Sequence, residues 1–468
     1  MNSIRMKRQN NFDKYTSFRE RFQMFSFESI DYTIKGNTLH VKFEFFIDDT
    51  ISFSSVTSFH FGNFAPKLTE SEIRLLLFHI GMVECISYWK SSCPPNIVIK
   101  PFQLNNDQIQ WWKKLWFNGL GEFFWLNGIE TDLESFVTVR CESENQMNSM
   151  SATLSDHGVI VPVGGGKDSV VTLEFFRSLG REMFPMLVNP RAAMTDTVKA
   201  CGISNTKLLT VNRSIDPRLL ELNAQGYLNG HTPFSSLLAF QSLLFSCVTG
   251  IQDVALSNES SANESTVPGT NINHQYSKSL EFETDFRNYV HSYLLPGFNY
   301  YSVLRPLSEL QIAFAFSHFQ SHFSTFKSCN VGSKQNIWCG KCPKCLFTAI
   351  ILLPFNGQKK LIDLFGYDIF DNSDLLTIFR ELTGMDDLKP FECVGTPDEI
   401  NLALSFAIAN MFDNENLPFL LKYFSQSEKM NTVHFEEFYS ALRQHFDTSH
   451  HLTPALYEQL TDYIRNLS

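Results

Sequence analysis

The sequence lacks the long apolar and basic runs that mark membrane-spanning and nucleic-acid-binding proteins. Its longest apolar run, Phe347 to Phe355, is interrupted by Pro354 and falls short of the roughly 20 apolar residues that a membrane-spanning helix needs. The formal net charge is −11, without a long Lys or Arg run, which argues against a nonspecific nucleic-acid or anionic-membrane surface. The basic first residues precede polar ones, so no signal peptide is expected. We therefore expect a soluble, cytoplasmic protein with no nucleic-acid or membrane partner.

Cysteine is too scarce for a secreted disulfide scaffold, with ten residues in a chain of 468. The composition is that of a globular protein, 43% hydrophobic and 19% charged. This length allows two or three domains, each with its own core. The 45 Phe residues mainly supply core volume and carry no chemistry by themselves.

A glycine-rich turn stands between a predicted strand and a predicted helix. Val159 to Val163 is a short apolar run, Gly164 to Gly166 follow, and the segment from Asp168 to Phe176 is typical of a helix start. Backbone N–H groups in such a turn, with the following helix N-terminus, suit a phosphate group. The turn matches neither the dinucleotide fingerprint nor the Walker A pattern.

Four cysteines form a second motif, Cys-x9-Cys-x2-Cys-x2-Cys. They are Cys329, Cys339, Cys342 and Cys345. Two-residue spacers let successive sulfurs reach one ion, and four thiolates fill a tetrahedral zinc shell. We expect a structural zinc, because a filled shell leaves no position for water or substrate. An iron–sulfur cluster is the alternative.

The segments before the glycine turn predict an α+β domain over residues 1–150. Alternating residues from Phe25 to Phe46 indicate a β-hairpin, and Thr69 to Glu72 caps an amphipathic helix. Aromatic clusters at 111–117 and 123–125 either stack a base or sugar or belong to the core. The polar stretch 142–157 is predicted to be a linker.

Strand and helix patterns then alternate over residues 151–355, as an open parallel sheet requires. Further strands are predicted at 183–188, 207–211 and 253–257. Ligands bind beyond the carboxyl ends of such strands, where Asn189, Arg213, Asn258 and Glu259 fall. Residues 356–468 are predicted to be helical. The expected fold is thus α/β, with a Rossmann-like sheet, an N-terminal α+β domain and a helical C-terminal region.

The glycine turn resembles the Ser-Gly-Gly-x-Asp-Ser loop of the PP-loop ATP pyrophosphatases, which have the adenine nucleotide alpha hydrolase fold. Gly164 stands where that superfamily has its first serine. The resemblance implies that the loop holds the β- and γ-phosphates of ATP while an acceptor oxygen attacks the α-phosphorus, giving an adenylate and pyrophosphate. The four-cysteine spacing is also similar to that of 7-cyano-7-deazaguanine synthase, another PP-loop enzyme.

A narrower resemblance covers roughly Val159 to Phe355. Besides the glycine turn and the cysteine motif, it rests on the segments at 228–233, 256–262, 273–278, 304–310 and 328–330, and it extends to 391–395. Together they resemble the UDP-N-acetyl-α-D-muramoyl-L-alanyl-L-glutamate epimerase family, in which Gly164 is the expected residue. The resemblance implies ATP- and Mg²⁺-dependent inversion of the terminal L-glutamate of a UDP-muramoyl dipeptide, through an acyl-adenylate, in peptidoglycan synthesis.

Residue roles follow from this resemblance. The pyrophosphate cradle is predicted to be Gly164, Gly165, Gly166, Lys167 and Ser169, and Asp168 is predicted to bind Mg²⁺ or to fix the loop. The candidates for proton transfer are His231, His274, Lys278 and Glu259. Asn258 and Arg305 are predicted to bind substrate, and Lys278 is an alternative ligand for its carboxylate or diphosphate.

Two other functions fit the same motifs. The first is another PP-loop adenylating enzyme that forms an amide, nitrile or thio-product on a nucleobase, although no glutaminase or rhodanese-like segment is evident. The second is a non-catalytic ATP-binding scaffold held by zinc, which the presence of Lys167, Asp168 and Ser169 disfavours. The sequence does not fix the oligomeric state, because interface residues resemble core residues.

Overall fold

A single ten-stranded sheet runs through the computed structural model, which describes residues 8–267, 269–413 and 415–467. Its strand order is β10-β9-β6-β7-β8-β3-β2-β1-β4-β5. The strands are β1 Met24–Lys35, β2 Thr38–Ile47, β3 Ile51–His60, β4 Asn96–Ile99, β5 Thr138–Cys141, β6 Ser155–Pro162, β7 Met183–Val188, β8 Leu209–Ser214, β9 Ile251–Leu256 and β10 Asn299–Ser302. The protein is therefore α/β, as predicted.

Helices connect the strands and form most of the chain after β10. The helices of the first half are α1 Phe12–Arg21, α2 Glu70–Trp89, α3 Asn106–Gly119, α4 Gly121–Asn127, α5 Lys167–Ser178, α6 Ala192–Ala200, α7 Pro217–Ala224 and α8 Phe234–Thr249. Those that follow are α9 Leu280–Tyr293, α10 Glu309–Ser317, α11 Pro343–Phe365, α12 Leu376–Leu382, α13 Pro397–Met411, α14 Phe419–Ser425, α15 Phe435–Gln444 and α16 Pro454–Arg465. Helix α11 is broken at Gly357, whose φ is +71°.

The sheet crosses the predicted boundary between residues 150 and 151. Strands β6 to β10, all from the predicted nucleotide-binding segment, pair in parallel. Strands β1, β2 and β3 form an antiparallel meander, and β3 pairs antiparallel with β8 from Val56–Ser214 to His60–Thr210. The two segments are thus joined through backbone hydrogen bonds, while their division into domains stays a prediction.

Both faces of the parallel strand β6 are buried, and they contribute to two separate cores. Successive residues of β6 alternate between them: Val159 and Val161 face one core and Ile160 faces the other, as the two-residue period of a strand requires. The core on the Ile160 side includes residues of α2, α3, α8 and α9 together with β1 to β3. The core on the Val159 side is built with α5, α10, α11 and the C-terminal helices.

Several local predictions are confirmed. The hairpin of β1 and β2 turns at Gly36, and Thr69 and Glu72 form the capping box of α2. The aromatic clusters belong to the core, since Trp112, Trp116 and Phe123 are fully buried. The basic segment 1–7 lies outside the described residues. Within the described part of the chain, no helix is long and apolar enough to cross a membrane.

Candidate active site

The glycine turn lies between β6 and α5, at the carboxyl end of the parallel strands. The Val163 N–H donates to the Met186 carbonyl of β7 at 2.9 Å and so fixes the start of the turn. Gly165 has a φ of +80°, and a Cβ there would lie 2.9 Å from the Ala193 carbonyl carbon and the Met194 nitrogen. Only glycine fits at 165. A Cβ on Gly164, in contrast, would have no neighbour within 4 Å.

The residues after the turn start helix α5 and place charge beside it. Lys167 is buried, and its ammonium contacts Asp168 Oδ1 at 2.5 Å and Glu309 Oε2 at a shorter distance. Burial alone would lower the pKa of Lys167, but the two carboxylates outweigh it and raise that pKa. Burial raises the pKa of Glu309, against the attraction of Lys167. Asp168 keeps 30% of its side chain exposed, so one carboxylate is available to a cation.

A pocket of about 450 Å³ opens over the turn and brings most predicted site residues together. Gly164, Gly166, Lys167, Asp168, Ser169, Asn258, Glu259 and Lys278 line it. Five of its side chains are basic and three are acidic, namely Lys167, Arg191, Lys278, Lys327 and Lys344 against Asp168, Glu259 and Glu309. The pocket is therefore locally positive in a chain of net charge −11, which favours an anionic ligand.

Two predicted substrate residues have different environments. Asn258 follows β9, lines the pocket and donates to Ser302 Oγ at 3.0 Å. Arg305 is fully buried and is absent from the pocket lining. Its guanidinium donates to the carbonyls of Glu259 and Lys278 at 2.7 and 2.5 Å and lies 3.3 Å from Glu283. Arg305 thus holds the backbone of two pocket residues.

Of the polar residues predicted beyond other strand ends, Asn189 and Arg213 are also outside the pocket lining.

Cys393 also lines the pocket, although it lies 115 residues after Lys278 in the chain. Lys278 Nζ lies 3.0 Å from the Cys393 Sγ, and the neighbouring His274 favours the ionised form of the same thiol. His274 Nδ1 in turn contacts the buried Glu122 carboxylate. Burial would raise the pKa of Cys393, but Lys278, Lys344 and His274 lower it to about 5. The structure thus builds a thiolate into the pocket wall.

The two candidate histidines have opposite electrostatic environments, although their ring centroids are 4.5 Å apart. Burial would lower the pKa of His274, but its contacts with Cys393 and Glu122 raise it to about 9. Burial, followed by His274 and Lys90, lowers the pKa of His231 to about 3. Near neutral pH, His274 is an imidazolium and His231 a neutral imidazole. Neither lines the pocket directly; His274 reaches it through Cys393.

The four cysteines of the spaced motif converge as the sequence predicts. Their Sγ atoms lie within 4.8 Å of one another, with separations of 3.9 Å for Cys329–Cys342, 3.8 Å for Cys339–Cys345 and 3.5 Å for Cys342–Cys345. A tetrahedron with metal–sulfur bonds of about 2.3 Å has edges of about 3.8 Å. The cluster could therefore hold a metal ion, and the Gly332 N–H donates to Cys329 Sγ at 3.1 Å.

This four-cysteine cluster also supports the glycine turn. Residues 327–330 contain Cys329 and lie beside the turn. The Lys327 N–H donates to the Gly165 carbonyl at 2.8 Å. A Cβ on Gly166 would lie 2.9 Å from Ser328 Oγ. On the other side of the cluster, Cys342 caps α11, which supplies Lys344 and Phe347 to the pocket. Order at the cluster therefore fixes two walls of the pocket.

Sequence reasoning missed three residues that the site depends on. Glu122 lies in a segment that carries no motif, and Glu309 lies in the resembling segment 304–310 but was given no role. Each contacts a site residue more than 140 positions away. Cys393 falls in a segment that belongs to the family resemblance, but no role was predicted for it. Its residue type could have predicted a role, since a cysteine in a resembling segment outside the metal motif is a candidate nucleophile.

Comparison with known proteins extends over most of the chain. The protein-family model described as the MurL N-terminal domain matches residues 16–303, and the family model described as the MurL C-terminal domain matches residues 322–436. Relatives named UDP-N-acetyl-alpha-D-muramoyl-L-alanyl-L-glutamate epimerase occur in Xanthomonas oryzae, Salinispora tropica and Micromonospora. Each is 33% identical over 71% of this chain, covering 73%, 72% and 74% of the relative. The predicted family is confirmed: this chain belongs to the MurL family of epimerases.

Proposed function

We propose that this protein inverts the terminal L-glutamate of UDP-N-acetylmuramoyl-L-alanyl-L-glutamate, using ATP and Mg²⁺ and releasing AMP and pyrophosphate. The substrate is the one named for the relatives. The observation that carries the proposal is the shared pocket, in which the glycine turn and the start of α5 face the same space as Lys278, Glu259 and Cys393. One end suits a polyphosphate and the other holds groups that move protons.

The loop end of the pocket fits ATP. The open space at Gly164 lets the backbone approach a phosphate, and the N-terminus of α5 adds partial positive charge. Lys167, Lys327 and Lys344 supply full charges around it. Apolar side chains beyond the turn offer a surface for the adenine ring: Met186, Val188, Met194 and Leu238. These features support a PP-loop mode of nucleotide binding.

Mg²⁺ fits the carboxylates beside the turn. Hard cations prefer oxygen ligands, and Asp168 has a partly exposed carboxylate, with Glu309 and Glu259 lining the same pocket. Bound Mg²⁺ would supply charge neutralisation at the phosphates. Zinc fits the four-cysteine cluster, where the tetrahedron of sulfurs would be a structural centre that orders the glycine turn.

Activation explains why ATP is needed for an inversion. A free α-carboxylate opposes loss of the Cα proton, because the carbanion would add a second negative charge. An acyl-adenylate lacks that charge, so the carbanion can delocalise as an enolate. His231, His274, Lys278 and Glu259 remain the candidates for proton transfer. The imidazolium of His274 suits a proton donor. The pKa of His231, about 3, makes its neutral imidazole a weak proton acceptor.

The test is incubation of the purified protein with ATP, Mg²⁺ and the UDP-muramoyl dipeptide, followed by chiral analysis of glutamate and identification of the nucleotide product. The proposal predicts D-glutamate together with AMP and pyrophosphate. AMP without inversion would point to another acceptor of the adenylyl group and refute the epimerase assignment. Absence of both products would leave only a nucleotide-binding fold.

A further inference from the structure

Cys393, His274 and Glu122 form a connected series of side chains at the pocket wall. The thiol lines the pocket 3.0 Å from Lys278 Nζ, the neighbouring His274 favours its ionised form, and the buried Glu122 carboxylate contacts His274 Nδ1. A nucleophile, a neighbouring imidazole that favours its ionised form and a third group that orients the imidazole are the features of an activated cysteine. Lys278 adds a second cation 3.0 Å from the sulfur.

We propose that Cys393 attacks the activated glutamyl carboxyl carbon and carries the glutamyl group as a thioester while its Cα is inverted. The inference rests on the proposed function, because it needs an acyl-adenylate as the electrophile. It adds a covalent step between activation and inversion. The reactive atom is the Cys393 Sγ, and the residues that position it are His274, Glu122 and Lys278.

The step is balanced without another reactant. The Cys393 thiolate forms a bond between Sγ and the acyl carbon, and the bond from that carbon to the bridging oxygen of AMP breaks, so AMP leaves with the electron pair. A base then removes the Cα proton and a proton returns on the opposite face. Water attacks the thioester, the carbon–sulfur bond breaks, and the products are the D-glutamyl carboxylate, the regenerated thiolate and the two protons of that water, which pass to solvent.

The environment of the sulfur favours attack on carbon over proton abstraction. The lowered pKa of Cys393, about 5, keeps it ionised at neutral pH but makes it a weak proton acceptor. Thiolate nucleophilicity falls only about half as steeply as basicity when the pKa falls, with a Brønsted coefficient of roughly 0.4–0.5. A thiol of low pKa is also a good leaving group when water releases the product. Cys393 is thus better suited to acyl transfer than to work as the Cα base.

A thioester also improves the inversion itself. In an acyl-adenylate, the phosphate anion stays beside the enolate that forms when Cα loses its proton. Transfer to sulfur removes that anion, and sulfur donates less electron density to the carbonyl than oxygen does. The Cα proton is therefore more acidic, and the cations at Lys278 and His274 lie next to the sulfur that bears the carbonyl.

The test compares Cys393→Ala and Cys393→Ser with wild type and with a control, Cys141→Ser. Cys141 is a half-buried cysteine on the edge strand β5, outside the pocket. We expect both Cys393 variants to retain substrate-dependent exchange of pyrophosphate with ATP, which also shows that they are folded. Formation of D-glutamate should fall by about 10³-fold or more, and Cys141→Ser should match wild type. Inversion within about threefold of wild type in Cys393→Ala would overturn the proposal.

Acid quenching of a single wild-type turnover provides the second measurement. Proteolysis and mass spectrometry should find the Cys393 peptide heavier by the mass of the UDP-muramoyl dipeptide less one water. Formation of D-glutamate with no adduct at any quench time would overturn the thioester. If the variants do not fold, alkylation of folded wild type at Cys393 must abolish inversion. Absence of pyrophosphate exchange in wild type would refute the proposed function instead, so the two failures are distinguishable.

Discussion

The same added methyl group should affect two adjacent glycines of the turn differently, lowering stability at one and weakening ATP binding at the other. At Gly165 the φ of +80° disfavours any side chain by about 1–2 kcal/mol. The new Cβ would also lie 2.9 Å from backbone atoms of Ala193 and Met194, and such overpacking costs about 1–3 kcal/mol. We therefore expect Gly165→Ala to lose about 2–5 kcal/mol of stability.

Gly164→Ala should instead be nearly neutral for folding. Its Cβ meets nothing within 4 Å, so we expect a stability change within about 0.5 kcal/mol. The methyl group would enter the space in which a phosphate approaches the backbone. Loss of about 1.4 kcal/mol of binding there raises the Kd for ATP about tenfold.

The assay measures the urea-unfolding midpoint by tryptophan fluorescence and the Kd for ATP with Mg²⁺ by calorimetry. Gly165→Ala should lower the midpoint, while Gly164→Ala should keep the wild-type midpoint and bind ATP more weakly. A wild-type midpoint for Gly165→Ala would refute the strained-turn reasoning. Unchanged ATP binding by Gly164→Ala would refute the placement of the phosphates at this turn.

Three further predictions concern the metal, the thiolate and the buried cation. Elemental analysis should find one zinc per chain, and Cys342→Ser should lose it and melt at lower temperature; full zinc content in that variant would contradict the cluster's role. The rate of inversion should fall below pH about 5, where Cys393 gains its proton, and above about 9, where His274 loses its own; a rate that keeps rising through pH 9 would exclude the imidazolium. Arg305→Met should lower the free energy of unfolding, measured by urea denaturation, by about 3–5 kcal/mol, because it leaves Glu283 buried without its cation; an unchanged free energy of unfolding would show that the buried pair is unimportant.

Features set by neighbours in the chain were predictable from the sequence. The hairpin turn at Gly36, the capping box of Thr69 and Glu72 and the strand, turn and helix around Gly165 depend on residues a few positions apart. The convergence of the four cysteines followed from their spacing for the same reason. The strands β4, β5 and β10 were missed, because four residues are too few to show a clear alternation of polar and apolar side chains.

Features set by distant pairing were not predictable. The antiparallel and parallel parts of the sheet are joined by the pairing of β3 with β8, which lies about 150 residues later in the chain. No local sequence pattern encodes the register of that pair. Arg305 has the charge expected of a ligand-binding residue, but only the fold shows that its partners are Glu283 and two backbone carbonyls. Cys393 becomes a thiolate candidate only because Lys278 and His274 are brought to it from far away in sequence.

The central claim is that the glutamyl α-carboxylate is adenylated before Cα is inverted. The most direct measurement uses a UDP-muramoyl dipeptide labelled with ¹⁸O in that carboxylate, turned over with ATP and Mg²⁺, with mass spectrometry of the AMP released. The account predicts one ¹⁸O in the phosphate of AMP for each D-glutamate formed, because the bridging oxygen comes from the carboxylate. Formation of D-glutamate with unlabelled AMP would contradict it.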